Sequence, residues 1–188
     1  MKKLPWENLH AALGIGVVLA IILLLIAGHL SFLGDGAFWS FLFRILHIWS
    51  GILWIGLLYY FNFVQMPSMP KIPDEQKPAV SKVIAPAALF FFRWGAVSTV
   101  VFGLIIMVYN ESWTNRGVSI GMLLGLIMAI NVWVLIWPNQ QKALGLVDAD
   151  ADTKKKAART AMLASRFNTM LSIPMLYGMV SAHLPTAW

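Results

Sequence analysis

Residues 11–28 read AALGIGVVLAIILLLIAG, eighteen successive side chains without a polar atom. A helix needs ~20 apolar residues to cross ~30 Å of hydrocarbon, so this run is of spanning length. In hydrocarbon no water can bond the peptide N–H and C=O groups, and only helices and closed barrels satisfy them internally. The apolar residues are continuous rather than alternating, which argues against barrel strands. The preceding MKKLPWENLH gives the start the look of a signal peptide. The run exceeds a signal peptide's apolar core and lacks an obvious small-residue cleavage site, so it reads as a retained first helix.

The same pattern recurs along the chain. Five spans are expected, at residues 10–33, 39–64, 86–109, 118–137 and 162–184. Arg166, Asn168 and Pro174 interrupt the last of them. Composition agrees: 12% of the 188 residues are charged, against ~25% in soluble domains. The expected fold is all-α, a polytopic membrane helical bundle forming one domain over residues 1–188.

The basic residues set an orientation. Lys2 and Lys3 precede the first span, and Lys71, Lys77 and Lys82 lie between the second and third. Lys142, Lys154, Lys155, Lys156 and Arg159 lie between the fourth and fifth, while Arg116 is alone in the opposite connections. The N-terminus is therefore expected in the cytoplasm and the C-terminus outside. The net charge of +6 reflects this orientation, not nucleic-acid binding. Loop 66–82, with Pro67, Pro70, Pro73 and Pro78, is expected to be extended, and loop 138–160 partly helical. Asp148, Asp150 and Asp152 have the spacing that opens a calcium loop. Thr153 and Arg159 stand where that motif needs glycine and glutamate, so the segment reads as a solvated acidic loop. The chain has no cysteine, which excludes disulfides, cysteine-ligated iron–sulfur clusters and covalent c-type haem attachment.

Polar residues within the spans are functional candidates because they are costly there. On the expected topology His47, His29 and His183 gather toward the outer side, with Arg44 one turn outside His47. Neutral imidazoles on neighbouring helices suit a b-type haem. Gly51, at i+4 from His47, would give the ring room, Arg44 would meet a propionate, and aromatics such as Trp54 would line it. The plainer reading of His10, His29 and His183 is interfacial hydrogen bonding at helix ends. Toward the cytoplasm lie Asn62, Gln65, Arg93, Asn131, Arg166 and Asn168. They form either a hydrogen-bond network tying the spans together or a pocket for an anion or quinone. Pro174 predicts a kink in the last helix. Gly121 and Gly125 form a G-x-x-x-G that reads as close helix packing.

The stretch HIWSGILWIGLLYYFNFVQMP, residues 47–67, resembles the membrane domain of bacterial PuuD-type urate hydroxylases, the urate oxidase N-terminal domain. RFNTMLSIPMLYGMVSAHLP, residues 166–185, is similar to the last span of that family. The H-I-x-S-G-x-x-W-I-G core is also similar to other small membrane haem proteins, including bacterial protoporphyrinogen oxidases. The resemblance implies oxidation of urate to 5-hydroxyisourate, with electrons leaving through a cytochrome c. In that family a cytochrome c domain follows the membrane domain, whereas this sequence stops at Trp188.

Two functional classes follow. The first is a membrane redox enzyme of the bacterial inner membrane. There a small anionic substrate such as urate would bind among Arg93, Arg166, Asn62, Asn131 and Asn168. Haem b, held by histidines drawn from His47, His29 and His183, would pass electrons to a cytochrome c or another membrane redox subunit. The second is a non-catalytic or haem-carrying subunit of a larger respiratory or photosynthetic complex. A transporter is disfavoured, because no span carries a mid-depth acidic residue.

Overall fold

The computed structural model describes residues 4–109 and 114–181. Among these residues there are five helices and no strand: α1 Leu9–Ile26, α2 Gly36–Lys71, α3 Lys77–Tyr109, α4 Arg116–Ala143 and α5 Ala151–Val180. The helices α1 to α4 are long and apolar enough to cross a membrane. The chain is a helical membrane bundle, as the apolar runs require.

The chain divides into two compact units, Met1–Leu42 and Phe43–Trp188. In the first, the Asn8 side chain caps α1 by accepting from the backbone N–H groups of His10 at 2.9 Å and Ala11 at 3.3 Å. Gly28, at φ +71°, ends the helix in the left-handed conformation that glycine tolerates. Asp35 then accepts from the Ala37 N–H at 2.9 Å and starts α2. No residue of α1 is buried.

In the second unit the core gathers Trp54 and Leu58 of α2, Phe92 of α3 and Met128 and Val132 of α4. Here α4 and α5 run antiparallel at close range. A Cβ on Gly121 would come within 2.9 Å of the Met179 nitrogen, so only glycine lets the two backbones approach this far. The expected G-x-x-x-G packing is therefore present, but Gly117 and Gly178 complete it. A Cβ at Gly125 would meet only ordinary side-chain contacts, the nearest at 3.9 Å.

The expectation of an extended 66–82 loop is corrected. Helical structure continues to Lys71 and resumes at Lys77. Pro78 occupies the first turn of α3, where a missing N–H breaks no bond, while Pro67 and Pro70 are carried within the last turns of α2. The expected partial helicity of 138–160 is found: α4 extends to Ala143, and Asp150 caps α5 by accepting from the Thr153 N–H at 2.8 Å. The helical assignment of α5 runs through Pro174 without a break.

Three stretches are wound as π-helix: Tyr60–Gln65, Val80–Ile84 and Val132–Ile136. Each ends two residues before a proline, namely Pro67, Pro86 and Pro138. A proline ring clashes with the carbonyl four residues earlier. Those carbonyls belong to Phe63, Lys82 and Val134, all inside the widened turns. The π winding moves them aside without ending the helix. On the charge-derived topology all three lie toward the cytoplasmic end.

Candidate haem-ligand and polar sites

His47 sits on α2 beside α3. Its Nδ1 lies 2.8 Å from the backbone oxygen of Thr99. A carbonyl only accepts, so Nδ1 carries the proton and Nε2 is left as the basic nitrogen. Metal-ligating histidines are commonly held in this way, the far N–H donating to a backbone carbonyl. Gly103 makes the approach possible: a Cβ there would stand 3.1 Å from His47 Cε1. Thr99 and Gly103 were not singled out in the sequence. Their signal was their spacing, Gly95, Thr99 and Gly103 forming one small-residue stripe at i, i+4, i+8.

The other expected haem residues divide. Gly51 packs against Thr99 Cγ2 at 3.9 Å. Trp54 is 1% exposed and belongs to the core, with its Nε1 unpaired. Arg44 is on the exposed side of α2. His29 belongs to the first unit, where its ring meets Phe41 edge-on at 5.7 Å. His183 lies outside the described residues. Of these histidines, His47 is the one whose donor set would suit a haem-iron ligand. Among the described residues no group of three or more His, Cys, Asp or Glu forms a metal-binding cluster.

The second polar group, Asn62, Gln65, Arg93, Asn131, Arg166 and Asn168, separates into three. Asn62, Asn131 and Asn168 join the network expected of them. Asn131 Nδ2 donates to Asn168 Oδ1 at 2.7 Å and to the Ala164 carbonyl at 2.9 Å. Asn168 Nδ2 donates to the Met128 carbonyl at 2.9 Å, and Asn62 Nδ2 to Ser165 Oγ at 2.8 Å. Tyr59 and Ser172 share a further bond of 2.9 Å between α2 and α5. Asn62 Oδ1, Gln65 Oε1 and Asn131 Oδ1 are sealed from solvent without a partner.

Arg93 makes a different set of contacts. Its guanidinium carbon lies 3.2 Å from the ring centre of Trp137 and 5.9 Å from that of Trp133. Its Nε and Nη1 and the Trp133 Nε1 are buried and unpaired. Arg166 corrects the expectation of an interior group. It is on the exposed face of α5, with Leu163, Phe167 and Met170, while Ser165 and Asn168 turn inward. Helical spacing decides this, since Asn168 is two residues from Arg166 and faces nearly the opposite way.

Helices this apolar, joined by buried amide networks, define a polytopic helical membrane protein. The urate oxidase N-terminal family matches residues 92–188, just over half of the sequence, and the chain belongs to that family. The match takes in Arg93, Thr99, Asn131, Asn168 and His183, and begins after His47. No curated protein and no solved structure matches the chain.

Proposed function

We propose that the chain is a membrane redox module of the urate hydroxylase type, in which His47 would ligate the iron of a b-type haem. The observation that carries this reading is the 2.8 Å bond from His47 Nδ1 to the Thr99 carbonyl, which leaves Nε2 for iron. The haem would supply one-electron transfer. The protein's part is to fix the imidazole tautomer through Thr99, to keep Gly103 clear of the ring, and to exclude water with apolar helices.

The substrate is a small planar heterocycle such as urate. What supports this substrate is membership of the urate oxidase N-terminal family. Oxidation to 5-hydroxyisourate takes its oxygen from water and releases two protons, and the two electrons leave one at a time, reducing two molecules of cytochrome c.

The test is a reduced-minus-oxidised spectrum of purified protein, followed by cytochrome c reduction on adding urate. A b-type band lost in His47→Ala supports the reading. A haem-free protein from haem-replete cells overturns it, and a haem protein inert to urate overturns the substrate. A second reading, a subunit of a larger respiratory or photosynthetic assembly, is favoured by α1, which carries a single polar side chain, His10, and so presents apolar residues all round. Native mass after gentle extraction decides it: other polypeptides retained support it, and a homogeneous monomer or homodimer refutes it.

A further inference from the structure

Arg166 lies on the exposed face of α5 among Leu163, Phe167 and Met170, which are exposed as well. Its depth follows from the bonds that Asn131 of α4 makes to Asn168 and to the Ala164 carbonyl, the residues two places to either side of it. Arg166 is therefore level with Asn131, six residues before Trp137, or about 9 Å at 1.5 Å per residue. Tryptophans at the ends of spans mark the membrane interface. An arginine thus faces lipid below the interface, where a charge is costly unless it reaches back to the headgroups.

Helical side chains lean toward the start of their helix, and on the charge-derived topology α5 starts in the cytoplasm. Arg166 therefore leans toward Arg159, seven residues earlier and, at 3.6 residues per turn, on the same face. Lys156 stands one turn earlier again. All three are exposed, and among the described residues none of them forms an ion pair. Beside them a groove of about 530 Å³ runs between α4 and α5, lined by Thr160, Leu163 and Phe167 on one side and Ile130 and Val134 on the other. Lys156, Thr160, Leu163 and Phe167 follow at i, i+4, i+7 and i+11, a single line that passes from charged through hydroxyl to apolar with depth.

We infer that Lys156, Arg159 and Arg166 hold the phosphate of an acidic phospholipid, one of whose chains lies in the groove between α4 and α5. The match is one of polarity with depth: exposed cations at the headgroup level and an apolar furrow beneath them. A soluble acidic partner would meet Lys156 and Arg159 but would not reach Arg166. A neutral quinone would fill the groove and leave the three cations unpaired. Neither haem nor turnover is needed, so this lipid site stands apart from the redox reading. It gives Arg166 a role on the outside of the bundle rather than at a substrate.

The experiment is native mass spectrometry of the full chain from bilayers mixing acidic phosphatidylglycerol with zwitterionic phosphatidylcholine. The variants are Arg166→Gln, Arg159→Gln and Arg166→Lys. Lys82→Gln, which removes an exposed cation of α3 at the same membrane face, is the control. The wild-type chain should retain phosphatidylglycerol in preference to phosphatidylcholine. That preference should fall roughly fivefold in Arg166→Gln and in Arg159→Gln, the ratio for ~1 kcal/mol per basic side chain at an acidic surface. Arg166→Lys keeps the charge and should retain more of the preference than Arg166→Gln, and Lys82→Gln should leave it unchanged. Equal retention of both lipids overturns the inference, as does an unchanged preference in Arg166→Gln. A loss in Lys82→Gln equal to that in Arg166→Gln also overturns it, because the effect is then one of overall charge. Displacement by inorganic phosphate or by urate overturns the lipid as occupant.

Discussion

Gly178 of α5 rests on Gly117 of α4 so closely that a Cβ on Gly178 would stand 2.6 Å from the Gly117 carbonyl oxygen. The obstructing atoms are backbone and cannot rotate away. Gly178→Ala therefore forces the helices apart, at a cost of about 1–3 kcal/mol, typical of overpacking. Unfolding in mixed detergent should show the loss, and Gly125→Ala, which meets only flexible methionine side chains, should be close to neutral.

Asn168 is fully buried and ties α5 to α4 through Asn131 and the Met128 carbonyl. Asn168→Leu removes both bonds. Hydrogen bonds between membrane helices contribute roughly 0.6 to 2 kcal/mol each, so the variant should unfold more easily by about 1–3 kcal/mol. Arg166→Gln, on the exposed face two residues away, should leave the same unfolding curve unchanged.

Gly103→Val places a branched side chain where the His47 ring lies, since even a Cβ there would be 3.1 Å from Cε1. The imidazole must leave the Thr99 carbonyl. If His47 ligates haem, the b-type band should weaken or shift in potential while the yield of folded protein holds. An unchanged spectrum in a haem-replete variant would refute the ligand assignment.

Pro138 stands after the π turn Val132–Ile136. Pro138→Ala removes the ring that the wide turn accommodates, so the segment should relax toward α-helical bonding and rotate Trp137 away from Arg93. Tryptophan fluorescence should report the lost stacking. A spectrum identical to wild type would show that packing, not proline, sustains the π winding.

Asp150 caps α5, and its bonds from the Thr153 N–H and hydroxyl hold its carboxyl below the usual aspartate range. A lowered folded-state value means that the cap contributes above the unfolded value of ~3.9 and is lost as pH falls through the lowered one. Protection of the Thr153 and Lys154 amides, relative to the unstructured rate at each pH, should therefore be lost only in acid below that range. In Asp150→Ala that protection should already be low at neutral pH and should show no further step in acid.

The helices were legible in the apolar runs, because peptide groups in hydrocarbon leave few alternatives to a helix. Expected spans at 39–64, 86–109 and 118–137 all lie inside observed helices. The polar extensions to Lys71, from Lys77 and to Ala143 were less legible, since prolines that look like loop formers sit within the last turns of α2 and α4 and in the first turn of α3. Asn131 and Asn168 were legible as polar residues within apolar spans, which is where a network between helices was expected.

What the sequence by itself determined was the helix set and the membrane as its solvent. Only the tertiary structure decided which way the polar side chains face. A helix in lipid is apolar on its outer side as well as its inner side, so hydrophobic periodicity does not mark a buried face. The three π turns add to this, because each shifts the angular phase and breaks any count at 3.6 residues per turn. That is why Arg166 turned outward, Arg93 came to lie on Trp137, and Thr99, unremarkable in sequence, became the partner of His47.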